Sequence, residues 1–241
     1  MRKVLNIASW ATGLSLIISL LAFSSDFQQE TRMRGLSINI DGLENYHFIT
    51  ETEIRELIYA EYPFLDSLYC REINKNLLEE SLDNHPSIHK AEVYSTLTGI
   101  LRIHISQKRP VFRVQQSEEA YYVDASGSVM PLSPHYSAEV PLVTGTINEA
   151  TRSRVFEFFS TLAKDEYFGG MFHGLDIGED GEWVLYPRIA DHRIIIGEPQ
   201  DIEDKLSRLK TFYDKTGDTP LFDEFKSLNL SFEGQVVGSK I

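Results

Sequence analysis

The chain is poor in cysteine, in positive charge and in the signs of catalysis, and each shortage removes a class of answer. Cys70 is the only cysteine in 241 residues, so no internal disulfide framework exists. It sits among Leu68, Tyr69 and Ile73 and reads as a small buried apolar residue rather than a reactive thiol. Lys and Arg number 23 against 36 Asp and Glu, a net charge of −13. Such a surface repels phosphate backbones and argues against general nucleic-acid binding. The Gly-x-Ser-x-Gly elbow, the His-Glu-x-x-His zinc helix and the P-loop pattern are all missing. His85 and His89 are four apart, but Pro86 between them denies them a shared helix face for a metal. Asp176, Glu179, Asp180 and Glu182 lack the spacing of an EF-hand and read as a solvated hairpin turn. Asp124 lies in a turn and is expected to bond nearby backbone rather than act as an acid. No catalytic activity, cofactor or metal is expected.

Charge is scarcest at the N-terminus. Arg2 and Lys3 are followed by 20 uncharged positions, Val4 to Phe23, so the acidity belongs to the rest of the chain. A helix of that length spans about 30 Å, the thickness of a bilayer's hydrocarbon core. The two basic residues favour a cytoplasmic N-terminus. Residues 1–3 then form a cytoplasmic tail, 4–23 a transmembrane helix and 24–35 a polar tether. The rival reading is a cleaved signal peptide, with Ala22-Phe23-Ser24 as a weak cleavage site. The run is long for a signal peptide, which favours a retained anchor. On either reading, residues from 24 onward lie outside the cytoplasmic membrane.

What is present begins with an α+β module. Ser37-Ile38-Asn39-Ile40-Asp41-Gly42 alternates and ends in a turn glycine, a strand pattern. Ile49-Thr50-Glu51-Thr52-Glu53-Ile54 starts a helix: Thr50 caps, Glu53 closes the capping box, and Ile49 staples onto Ile54. Ile54, Leu57 and Ile58 form its expected apolar face. A second helix carries Ile73, Leu77, Leu78 and Leu82 and stops near Asn84, before Pro86. Ala91-x-Val93 and Leu101-x-Ile103-x-Ile105 are strands joined by a short turn, a hairpin. The order is βααββ.

Beyond Pro110 the patterns are mostly of strands. Phe112–Val114 and Tyr121–Val123 read as paired strands, Asp124-Ala125-Ser126-Gly127 is a turn by its residue types, and Pro131 to Pro134 reads as irregular. Asn148 caps a helix bearing Val155, Phe156, Phe159 and Leu162. Phe172–Ile177 and Trp183–Tyr186 flank a hairpin turn, and His192–Ile196 is another strand. Ile202, Leu206 and Leu209 mark a last helix. Leu228-Asn229-Leu230-Ser231-Phe232 alternates, and Gln235-Val236-Val237 closes a segment read as one edge strand.

The order of these motifs resembles a known family. Ile38-x-Ile40-x-Gly42, His85-Pro86-x-Ile88-x-x-Ala91-x-Val93 and Lys108-Arg109-Pro110 look like a POTRA domain. One anchor followed by a single POTRA is similar to the FtsQ/DivIB family of bacterial cell-division proteins. Tyr122-Val123-Asp124-x-x-Gly127-x-Val129, Pro141-Leu142-Val143-Thr144-Gly145 and Ile194-Ile195-Ile196-Gly197 with Lys205-Leu206 resemble that family's second domain. The resemblance implies a POTRA domain over 36–109 and a mostly antiparallel β domain with two or three helices over 110–241. It further implies a non-enzymatic divisome scaffold at the septum, anchored in the cell inner membrane. Its last strands would receive the coiled-coil partners FtsB and FtsL, and its POTRA domain would contact other division proteins. The residues expected to bind the partner are Leu230, Ser231, Phe232, Gln235, Val236 and Val237. Ser231 stands where the family has an arginine. The alternative is an envelope assembly chaperone that uses POTRA to receive unfolded strands. Both readings rest on strand addition at an open sheet edge.

Overall fold

The computed structural model describes residues 31–42, 46–117, 119–216 and 224–240, with residues 10, 13–17 and 19 of the N-terminal stretch. Of the expected span from Val4 to Phe23, 13 of the 20 residues lie outside the described residues. Among those described, no helix is long and apolar enough to cross a membrane. The chain divides into two compact units between Gln107 and Lys108.

The first unit is a three-stranded sheet in the order β1–β3–β2, with two helices. Strand β1 (Gly35–Asp41) runs parallel to β3 (Ile100–Gln107), from Gly35↔Ile100 to Asp41↔Ser106. Strand β2 (Ile88–Ser95) is antiparallel to β3, as the hairpin pattern requires. Helix α1 (Glu51–Glu61) opens on the expected capping box: the Glu53 N–H donates to Thr50 Oγ1 at 3.2 Å, and the Thr50 N–H to Glu53 Oε2 at 2.8 Å. Helix α2 (Lys75–Asp83) starts two residues later than Ile73, because the Asn74 side chain takes the Leu77 N–H at 3.2 Å.

Two leucines assigned to the apolar faces turn outward. Leu57 and Leu77 are exposed, while Ile54, Ile58, Leu78 and Leu82 enter the core. Each helix packs a single narrow face on a small sheet. A residue directly beside a buried one is rotated about 100° from it and leaves the contact. Cys70 is buried in this core. Gln107 ties the ends of the unit together. Its Oε1 accepts from the Phe48 N–H at 3.0 Å, and its Nε2 donates to the carbonyls of Asp41 and Tyr46 at 3.1 and 3.0 Å.

The second unit is built on nine strands: β4 (Pro110–Gln115), β5 (Ala120–Asp124), β6 (Val129–Pro131), β7 (Leu142–Gly145), β8 (Phe172–Ile177), β9 (Trp183–Pro187), β10 (Arg193–Gly197), β11 (Phe225–Asn229) and β12 (Val237–Lys240). Their spatial order is β12–β11–β10–β9–β8–β7–β4–β5–β6. The sheet is mixed, with five antiparallel and three parallel pairings among its described strands. The β4–β7, β7–β8 and β10–β11 pairs are parallel. Parallel neighbours need a long crossover. Helix α3 (Glu149–Leu162) supplies it between β7 and β8, and α4 (Ile202–Thr216) between β10 and β11. A strand pattern in sequence carries no sign of the direction of its neighbour, so this feature lay beyond local reading.

The core follows one row across the sheet: Val143, Leu175, Leu185, Ile194 and Leu228 are paired neighbours and all buried. Phe158, Phe159 and Leu162 of α3 and Leu206, Leu209 and Tyr213 of α4 belong to the same cluster. The adjacent row points the other way, leaving Leu142 and Tyr186 exposed.

Candidate partner-binding edge

The two margins of the nine-stranded sheet differ in chemistry. At one end, β6 is three residues long and finishes on Pro131, which has no N–H to offer an incoming strand. At the other end, β12 pairs with β11 alone among the described strands. All four of its residues are exposed, and none is proline. A margin of this kind presents backbone donors and acceptors to a partner. Lys240, paired with Glu224 at 2.5 Å, is its only ionisable side chain.

The hairpin that places β12 is shaped by two glycines. At Gly238 a Cβ would overlap the Phe225 ring, so the missing side chain lets that ring lie across the edge strand. Phe225 continues inward as an edge-on partner of Phe212, with ring centroids 5.5 Å apart. Gly197, at the end of β10, has φ of 71°, and a Cβ there would stand 2.9 Å from the Ser231 Cβ. The β10 end and the hairpin turn therefore approach too closely for any larger residue.

A cation from the core side locks the turn. Arg208 of α4 donates through Nη1 to the carbonyls of Phe232 (2.8 Å) and Gln235 (2.5 Å), and through Nη2 to that of Leu230 (3.3 Å). Its Nε bonds Asp204 at 2.9 Å, which holds the guanidinium plane in place. The planar fork of arginine suits several carbonyls at once. One turn earlier on α4, Lys205 is buried and donates Nζ to the carbonyls of Ile196 (2.9 Å) and Glu198 (2.7 Å). Burial, and next the Arg208 charge, push its pKa below the usual lysine value against the acids nearby.

The six expected residues fall into three places. Leu230 is fully buried in the core, and its N–H is taken by the Ile195 carbonyl at 2.8 Å. Ser231, Phe232, Gln235 and Val236 form the turn rather than a strand, because β11 ends at Asn229. The Ser231 N–H and Oγ both bond Asn229 Oδ1, at 2.9 and 2.6 Å, which bends the chain out of the ladder. Phe232 is exposed, and Val236 packs partly on the core. Val237 alone lies on β12, opposite Asn229. Gly238, Ser239 and Lys240 complete the margin and were not anticipated. A glycine followed by two polar residues carries no strand pattern, and only the pairing with β11 makes one.

Asp124 and Asp180 serve turns, and Asp176 bonds across the β7–β8 pair. Asp124 Oδ1 accepts from the N–H groups of Ser126 and Ser128 at 2.8 and 3.0 Å, and Oδ2 lies 3.8 Å from Lys108. Asp180 Oδ1 accepts from the Glu182 N–H at 3.1 Å, and Asp176 takes the Thr144 hydroxyl at 2.6 Å. Among the described residues no group of His, Cys, Asp and Glu side chains is placed to hold a metal.

Comparison with known proteins adds an independent line. A family model described as FtsQ/DivIB, C-terminal related, matches residues 109–239. Another, described as a POTRA-like domain, matches residues 31–106. The cell division protein FtsQ of Rhodothermus marinus is 26% identical over 179 residues, a match covering 69% of this chain and 65% of that protein. The chain thus spans less than two thirds of the relative's length.

Proposed function

Because the chain belongs to the FtsQ/DivIB, C-terminal related family, we propose that it is a non-enzymatic scaffold of the bacterial cell-division machinery. It captures a partner strand on the open side of β12. The partner is FtsB, with FtsL beside it. The uncharged run from Val4 to Phe23 anchors it in the cell inner membrane, with the POTRA-like unit and the nine-stranded unit outside the cytoplasm and at the septum. The observation that carries this reading is the position of β12: last in the sheet, paired on one side, free of proline and exposed along its length. Binding comes from backbone hydrogen bonds, with alternate side chains of the incoming strand setting specificity.

Proline scanning of the margin tests it. Successive N–H groups along a strand point to opposite sides. Of Ser239→Pro and Lys240→Pro, successive exposed residues of β12, one removes an outward donor and the other a bond to β11. At least one of these variants is expected to keep its thermal midpoint while losing capture of FtsB in a pull-down with the full chain. Undiminished capture by both folded variants overturns the edge assignment. Val236 is not suitable for this test, since it lies in the turn and packs on the core.

A further inference from the structure

The POTRA-like unit has an edge of its own, and it is already occupied. Strand β2 is the last strand on its side of the three-stranded sheet. The Ala91 N–H donates to Asp83 Oδ1 at 2.6 Å, and the Val93 N–H to Glu79 Oε1 at 2.6 Å. Both carboxylates come from α2, so these two amides point away from β3.

The spacing explains the match. Residues 79 and 83 are one turn apart on the same helix face, about 6 Å along the axis. Residues 91 and 93 are on the same side of a strand, about 6.7 Å apart. Two carboxylates thus stand where the carbonyls of an added strand would stand. Charged acceptors bind an amide more strongly than a neutral carbonyl does.

We propose that Glu79 and Asp83 close the β2 margin of this unit, and that the strand they exclude is β2 of a second copy. The margin is self-complementary. An antiparallel pairing with a two-fold axis at Glu92 would bond Ala91 of each copy to Val93 of the other. Glu92 would then face its own equivalent, with like charges opposed. In the single chain Glu92 instead pairs with Lys90 at 2.7 Å. The closure leaves this unit without a strand-pairing surface on β2 and reserves strand addition for other edges.

The full chain with Glu92→Cys tests the idea, because a non-hydrogen-bonded antiparallel pair brings Cα atoms to about 4.5 Å, within disulfide range. Under oxidised glutathione, non-reducing gels should show about tenfold more linked dimer in a Glu79→Ala/Asp83→Ala background than in the parent. Glu79→Gln/Asp83→Asn keeps the acceptor oxygens and should link no more than the parent. Equal linkage in the parent and double-alanine backgrounds overturns the proposal. Hydrogen exchange gives a second reading that needs no dimer: Ala91 and Val93 amides should exchange about tenfold faster in the double-alanine chain, with Ile103 and Ile105 unchanged. Should the double variant fail to fold, Glu79→Ala alone should accelerate Val93 and leave Ala91 as it was. Unchanged exchange at Val93 in that variant also overturns the proposal.

Discussion

Replacing Arg208 with alanine isolates the element that holds β12 in place. The side chain donates to three turn carbonyls and is anchored by Asp204. Buried hydrogen bonds to a charged group contribute about 1.5–3 kcal/mol each. These carbonyls lie in a largely exposed turn, where water replaces the lost donor, so the whole cluster is worth about 1–2 kcal/mol. The loss is local, because Leu209, Ile194 and Leu228 stay packed. Opening of the hairpin should therefore become about 5- to 30-fold more frequent. Amide exchange at Val237–Lys240 should rise by that factor, while the thermal midpoint falls by no more than about 5 °C. FtsB capture should weaken only in proportion to the fraction of chains whose edge is left unordered, because apparent affinity scales with the ordered population. Arg208→Lys keeps the charge but has no fork, and should recover only part of the loss. Wild-type exchange in β12 of a folded Arg208→Ala chain would refute this reasoning, as would full rescue by lysine.

Three further outcomes follow from particular contacts. Gly197→Ala places a methyl group against Ser231 at a positive φ, and should cost about 1–2 kcal/mol, with exchange raised first in the turn 230–236 rather than in β8 or β9. Thr50→Ala removes the capping box of α1 and should lower stability by about 1 kcal/mol in chemical denaturation, leaving FtsB capture unchanged. Lys205→Met probes the buried ammonium. Its folded pKa is lowered, so between that value and the unfolded one near 10.5 the unfolded chain binds more protons, and stability rises with pH. The cost of burying the charge is complete below the folded pKa and relieved above it. The wild type should therefore gain on Lys205→Met in thermal midpoint as pH climbs from neutral toward 10, and a gap that moves the other way contradicts the assignment.

Much of the first unit was legible in the chain because its determinants are local. The Thr50–Glu53 box, Pro86 and the alternation of Ala91–Val93 and Leu101–Ile105 act within a few residues, and each one produces the element it signals. The same holds for the turn at Asp124 and the cap at Asn148. Reading failed where a residue's role depends on a distant partner. Leu230 looked like an edge residue because it alternates with Leu228, yet it is buried, with its amide bonded to Ile195. Arg208 drew no notice among the charges of α4, since the carbonyls it holds lie more than twenty residues away. Gly238-Ser239-Lys240 had no strand pattern at all.

Composition and local pattern by themselves settled the classes: an acidic α+β chain without disulfides, with a βααββ module and a strand-rich remainder. The tertiary structure alone decided which strands run parallel, which backbone is left open at β12, and which is covered by α2. The reason is physical. Helix caps and alternation are written in neighbouring side chains, whereas a sheet's margins are defined by what fails to pair. That is a property of the whole assembly of strands and of no single stretch.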